Sequence, residues 1–348
     1  MRALERLQHF RQTEEVLSFT ENRILRGQWR WIVNAPTDIV SAFAWAPVFC
    51  VAHLLTGNAL RTWASLVFLF SLVHQAITPI LLATDGPTRS RHRIIYGGGI
   101  PTVALGSWLL LQAGLGWVAL IAAGWNLLHT LRQRYGIVRL YGSQGGQLRR
   151  PIEQGLIFGP FLGAAGLALW LPGTLDSVDR LGFGGINAEI VSGIRSLARF
   201  APLVLFASVL WTGLTVKSLQ RDRHQRPPSN TKRLYLGAYF LSLGCAVFDP
   251  AAGVIALVAA HSFEYFFALD ATLERRFGRQ GTLLHRLIAA VRHRRAFLVV
   301  CATCCAVLIL TARSVLATTA YLVLYMTIGG THFLFDGFMW RSNKAPAS

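Results

Sequence analysis

Long apolar stretches recur along this chain of 348 residues, several reaching roughly 18 residues or more, and Arg-rich segments separate them. That length is what an α-helix needs to cross a ~30 Å hydrocarbon core, and one soluble core could not hide so much apolar surface. The stretches fall at 37–56, 58–84, 94–112, 115–141, 152–172, 199–216, 234–248, 250–268, 296–312 and 314–338. The seventh is short, and Asp249-Pro250 supplies a sharp turn into the eighth. Composition agrees. The chain is 53% hydrophobic and 14% charged, with a mean hydropathy of +0.43, whereas an ordinary soluble domain carries about 25% charge. The expected fold is all-α, a polytopic membrane bundle of about ten transmembrane helices.

A net charge of +18 raises nucleic acid as a partner, but the basic residues form no patch of the kind that binds it. They sit between the apolar stretches, and 29 of the 34 fall on alternate connections that share one side. Lys and Arg mark the cytoplasmic side, so both termini are expected inside. The expected organisation is an amphipathic cytoplasmic segment over 1–33, one bundle over 34–340 with a cytoplasmic loop at 269–295, and a tail over 341–348. Met1 to Arg30 alternates charged with apolar residues and shows no signal-peptide core. The five cysteines (Cys50, Cys245, Cys301, Cys304 and Cys305) lie in apolar stretches, where small thiols serve packing, and imply no disulfide framework.

Ionisable side chains within a span cost roughly 2.5–3.5 kcal/mol on insertion scales and are functional candidates by default. Five of the ten histidines lie in the stretches: His53, His74, His129, His261 and His332. Even-numbered stretches run from outside to inside, which places the last four in the inner leaflet. A rise of ~1.5 Å per residue sets them about 13 to 18 Å above the inner ends of their helices, near one common depth. His53, on an odd stretch, lands toward the outer face. His261 and Glu264 (i, i+3) share a helix face, as do His332 and Asp336 (i, i+4). The expected metal ligands are therefore His74, His129, His261, His332, Glu264 and Asp336. Imidazole with carboxylate and open positions suits iron, copper or zinc, and the carboxylates can also orient the imidazoles. On the fourth stretch Arg132 and Arg139 share the face of His129, so both are candidates for holding a polar head group. Gln133, Tyr135 and Tyr265 are candidates for supporting roles. Each feature has an ordinary reading as well: intramembrane His ties helices together, and Arg snorkels to the interface. Gly97-Gly98-Gly99 has no phosphate-loop context and reads as helix packing or a kink.

Three motifs carry a resemblance: His129-x-x-Arg132-Gln133-x-Tyr135-Gly136-x-x-Arg139-x-Tyr141, His261-x-x-Glu264-Tyr265, and Thr331-His332-Phe333-x-x-Asp336-Gly337-x-x-Trp340-Arg341. They look similar to a family of largely uncharacterised bacterial integral membrane proteins with intramembrane His motifs. That resemblance implies a bacterial inner (cytoplasmic) membrane location. It also puts His129, Arg132, Gln133, Tyr135, His261, His332 and Asp336 at motif positions. More distantly, the His cluster is similar to those of bacterial β-carotene dioxygenases and of membrane fatty-acid desaturases and hydroxylases, which use non-haem iron and oxygen on lipophilic substrates. The desaturases' H-x-x-H-H boxes are absent, which argues against direct membership.

These features together lead to the expectation of a membrane metal-dependent enzyme, an iron oxygenase or oxidoreductase acting on a lipid or isoprenoid-like substrate and served by an electron donor. Two other classes use the same residue types. A proton-coupled transporter uses intramembrane His, Asp and Glu as a relay, although no repeated halves or paired broken helices are visible. A haem protein uses two facing His as axial ligands.

Overall fold

The computed structural model describes residues 29–84, 90, 93–143, 147–171, 173–181, 187–222, 228–277, 286 and 293–339. The regular elements among them are α-helical. They are α1 (Ala35–Phe43), α2 (Trp45–Leu54), α3 (Gly57–Thr84), α4 (Arg93–Ala113), α5 (Leu115–Ser143), α6 (Arg150–Trp170) and α7 (Gly173–Leu181). After these come α8 (Asn187–Ala198), α9 (Ala201–Asp222), α10 (Asn230–Phe248), α11 (Pro250–Phe277), α12 (Arg294–Val315) and α13 (Thr318–Met339).

Among the described residues, seven helical stretches are long and apolar enough to cross a membrane, the first of them formed by α1 and α2 together: Ala35–Leu54, Gly57–Leu81, Arg93–Ala113, Arg150–Trp170, Ala201–Asp222, Pro250–Asp270 and Arg295–Val315. Helices α5, α10 and α13 lie over the other expected stretches. Their hydropathy is thinned by polar residues that the bundle buries: Arg134 in α5, Lys232 in α10, and His332 and Asp336 in α13. A polar side chain turned into protein interior does not meet lipid, so such a helix is less apolar in sequence than its outer surface.

Local chemistry sets the helix ends. Asn34 caps α1 by accepting from Thr37 N at 2.9 Å, and the carboxylate of Asp38 gathers the backbone N–H groups of Ile32, Val33 and Asn34. The first expected stretch is broken at Ala44, between α1 and α2, because Pro47 has no N–H to give the Phe43 carbonyl. Asp249 caps α11 by accepting from Ala252 N at 3.1 Å, with Pro250 in the first helical position, where its missing donor costs nothing. The expected sharp turn into the eighth stretch is this cap. Helix α11 then runs to Phe277, beyond the expected end at 268, because Leu269 and Leu273 are buried in a cluster with Phe297, Leu298 and Phe335. Helices α7 and α8 fill what the sequence left as a connection. Helix α4 passes unbroken through Gly97-Gly98-Gly99 and Pro101.

Helices α6 and α9 lie antiparallel and very close. A Cβ on Gly155 would collide with the Thr215 side chain, and on Gly159, Gly163 and Gly166 it would meet Thr212, Ser208 and Leu205 at 2.6, 2.8 and 2.9 Å. Small residues at such spacing let helices approach where apolar burial gives no drive. Helix α11 is at the centre. It shares one core cluster with α2 and α3 and another with α3, α12 and α13, and it brings its His and Glu up against α3, α5, α10 and α13.

Candidate metal centre

Four helices each deliver one imidazole to a single place. The ring centroids of His74 (α3) and His261 (α11) are 4.9 Å apart, those of His74 and His332 (α13) 5.0 Å, His129 (α5) and His261 5.0 Å, and His129 and His332 4.7 Å. All four pairs meet edge to face, at interplanar angles of 84°, 90°, 88° and 70°. The Nε2 atoms of His129 and His332 are 3.0 Å apart, and Asp336 Oδ2 lies 3.5 Å from His129 Nε2. Two overlapping sets, His74/His261/His332 and His129/His332/Asp336, each offer three ligand atoms within 4.8 Å of one another.

Neighbouring hydroxyls orient two of the rings. Ser262 Oγ donates to Val258 O at 3.0 Å. Its one proton is thereby committed, so at 3.0 Å from His74 Nδ1 it accepts. His74 therefore carries its proton on Nδ1, and Nε2 holds a bare lone pair. Thr78, one turn beyond His74 on α3, places Oγ1 2.7 Å from His332 Nδ1 and also meets the Tyr265 hydroxyl. His332 is left with Nε2 facing the cluster.

The fit to a metal ion rests on these nitrogens. His74 Nε2 and both nitrogens of His261 are buried and have no hydrogen-bond partner among the described residues. Leaving a buried polar atom unpaired costs about 1–3 kcal/mol, and a cation held by the His74/His261/His332 set would take up a lone pair from each of these two rings. Metal–nitrogen bonds of about 2.0–2.1 Å put neighbouring ligand nitrogens about 3 Å apart, the spacing of His129 and His332. Four imidazoles and one carboxylate suit iron, copper or zinc. No cysteine belongs to either set.

The other sequence candidates lie around this core. Glu264 sits with Arg134 and Tyr235: Glu264 Oε2 is 3.3 Å from Arg134 Nε, and the Tyr235 hydroxyl donates to Oε1 at 2.9 Å. Glu264 is in neither ligand set. Gln133 donates to the His261 carbonyl at 2.8 Å and so fixes the backbone beneath that ring. Tyr265 lies against His74 and His332, with centroids 5.1 and 5.3 Å away. Arg139 donates to Glu153 at 2.6 Å and to Leu148 O at 3.2 Å. Arg132 is exposed and Tyr135 half-buried.

His53 is elsewhere, as its odd-numbered stretch implies. Its Nδ1 is 2.8 Å from Asp249 Oδ2, which also accepts from Arg180 at 2.9 Å. Burial alone would push the Asp249 carboxyl up. Hydrogen bonds from His53, Arg180 and Ala252 N, with the charge of Arg180, outweigh it and hold the group below its ordinary range.

Sequence reasoning passed over Thr78, Ser262, Glu153 and Lys232. The first two had a usable signal, because Thr78 shares the face of His74 at i, i+4 and Ser262 adjoins His261. Glu153 and Lys232, which pair with each other while both fully buried, stand at helix starts where charge looks solvated.

Comparison with protein-family models, with curated proteins and with solved structures returns no match. Fold and site together define a helical protein of membrane-spanning character with buried His clusters able to hold a metal ion. Nothing narrower follows from likeness to another protein.

Proposed function

We propose that the chain spans a bacterial inner membrane about ten times with both ends inside, and that its His centre is a non-haem iron site for oxidising a lipophilic substrate. The observation that carries the reading is the convergence of four imidazoles from four helices into two overlapping sets that share His332, each with three ligand atoms within 4.8 Å of one another. An ion held there would supply redox or Lewis-acid chemistry in a site closed to bulk water. The chain's own contributions are orientation, through Ser262 and Thr78, and exclusion of water by the cluster around Tyr265, Leu269 and Phe335. An electron donor is a further requirement of the oxygenase form of this proposal.

The ion pairs support the topology. Arg139 and Lys232 with Glu153, Arg149 with Asp222, and Arg295 with Asp270 each join residues at ends assigned to the inside. Arg180 and His53 with Asp249 join ends assigned to the outside. A single span missed or added between paired residues would have put them on opposite sides.

The Nε2–Nε2 spacing of 3.0 Å weighs against a haem, whose two axial nitrogens stand about 4 Å apart across the macrocycle, twice a metal–nitrogen bond. Metal analysis of detergent-purified protein tests the proposal: about one iron per chain without a Soret band is the expected result. Protein free of metal that carried protons or solutes across proteoliposomes would replace it with the transporter reading.

A further inference from the structure

The four imidazoles are not equally enclosed. His74, His261 and His332 are 0%, 1% and 0% exposed, and His129 is 8% exposed. The centre therefore approaches the surface at α5. There the Phe333 ring, half-buried, stands 4.5 Å from His129, with the Trp125 indole beyond it at 6.5 Å. Trp125 and Leu128 are each 54% exposed, and with Arg132 they form one stripe at i, i+3, i+7 on α5. In a spanning helix that stripe faces acyl chains, so one aromatic ring separates lipid from the metal-binding edge.

Arg132 closes the stripe on the inner side. Of the three arginines of α5, Arg134 pairs with Glu264 and Arg139 with Glu153. Arg132 is exposed and has no anionic partner among the described residues. It stands three residues nearer the inner end than His129, about 4.5 Å along the axis, and its long side chain can carry the guanidinium further in that direction.

We propose that the centre takes a lipid with an anionic head group, which enters sideways from the bilayer at the edge of α5 and α13. Arg132 holds the head, Phe333 swings aside, and the carbons nearest the head come to the ion. The proposal rests on the metal reading and adds what kind of molecule the site receives and which part of it. Guanidinium binds carboxylate and phosphate in a fixed two-pronged geometry, while the apolar stripe requires a chain attached to the anion. An isolated small anion therefore gains nothing here, and a neutral lipid lacks the anchor.

The test uses full-length protein in phosphatidylcholine nanodiscs, loaded with Co²⁺, whose stoichiometry is measured first on the same sample. Paramagnetic relaxation is then read on oleate carrying ¹³C either beside the carboxylate or at the terminal methyl. Oleyl alcohol, oleoyl-lysophosphatidate and acetate are run in parallel. Expected are stronger relaxation beside the carboxylate than at the methyl, a like effect for the lysophosphatidate, and none for acetate. In Arg132→Gln, with cobalt retained, the affinity for oleate should fall roughly tenfold or more, as for a lost charge-assisted hydrogen bond. Cobalt bound with no such gradient, equal behaviour of oleyl alcohol, or no change in Arg132→Gln overturns the lipid proposal and leaves the metal centre. Failure to bind cobalt removes both.

Discussion

His129 and His332 stand 203 residues apart in sequence, and their Nε2 atoms meet at 3.0 Å. Two neutral imidazoles at that distance share one proton between them or share an ion. The second arrangement belongs to the His129/His332/Asp336 set, and the His74/His261/His332 set beside it, which shares His332, offers an ion the buried nitrogens of His74 and His261 that lack a partner among the described residues.

Replacing His129, His261 or His332 by Ala should each remove bound metal, and His74→Ala should do so as well, because each ring supplies a nitrogen no neighbour replaces. His53→Ala should keep it, since that ring is tied to Asp249. Metal per chain by elemental analysis decides this. Equal content in all five variants would leave the cluster as helix-to-helix packing.

Thr78 and Ser262 touch imidazoles only at Nδ1, so they act by holding tautomer and ring angle. Partners of this kind typically contribute about 10–100-fold in metal affinity. Thr78→Val should weaken binding in a chelator competition by that order, and Thr78→Ser should restore it. The ligand-field spectrum of the Co²⁺ form should shift in the valine variant. A purely packing role predicts instead that the isosteric valine is harmless.

Most of the helical layout was readable in advance because lipid imposes one simple length rule. Common depth was readable too, since rise per residue and orientation suffice to compare His74, His129, His261 and His332. What could not be read was rotation about each helix axis. Sequence placed Glu264 on the face of His261, but a step of three residues leaves room for the carboxylate to turn toward α10, where Tyr235 and Arg134 meet it. Arg139 likewise shared a face with His129, yet Glu153 on α6 takes it. Helices α7 and α8 escaped notice because they are too short and polar for the length rule.

Glu264→Gln should retain metal and lose stability. The substitution leaves Arg134, 2% exposed, without its anion, and breaking a buried pair from one side costs roughly 3–5 kcal/mol. The double variant Glu264→Gln with Arg134→Met should recover part of that loss. Thermal unfolding in detergent, read beside metal content, separates the two effects. Metal lost in step with the carboxylate would instead make Glu264 a ligand.

Acid should loosen the end of the bundle at Asp249 before the centre. Asp249 is held below its ordinary carboxylate range by His53, Arg180 and Ala252 N. A carboxyl depressed by folding stabilises the native state at pH values above its unfolded range and loses that contribution as pH falls through the folded value. With unfolded Asp near 3.9, the contribution is full at neutral pH and fades below about pH 4. Asp249→Asn is the matched control, since Asn still caps α11 but carries no charge for Arg180. The difference in unfolding temperature between wild type and Asp249→Asn should be largest near neutrality and shrink on acidification, while hydrogen exchange in α7 rises. A difference that stays constant down to pH 3 would mean that the Asp249 charge adds nothing to holding α7 against α11.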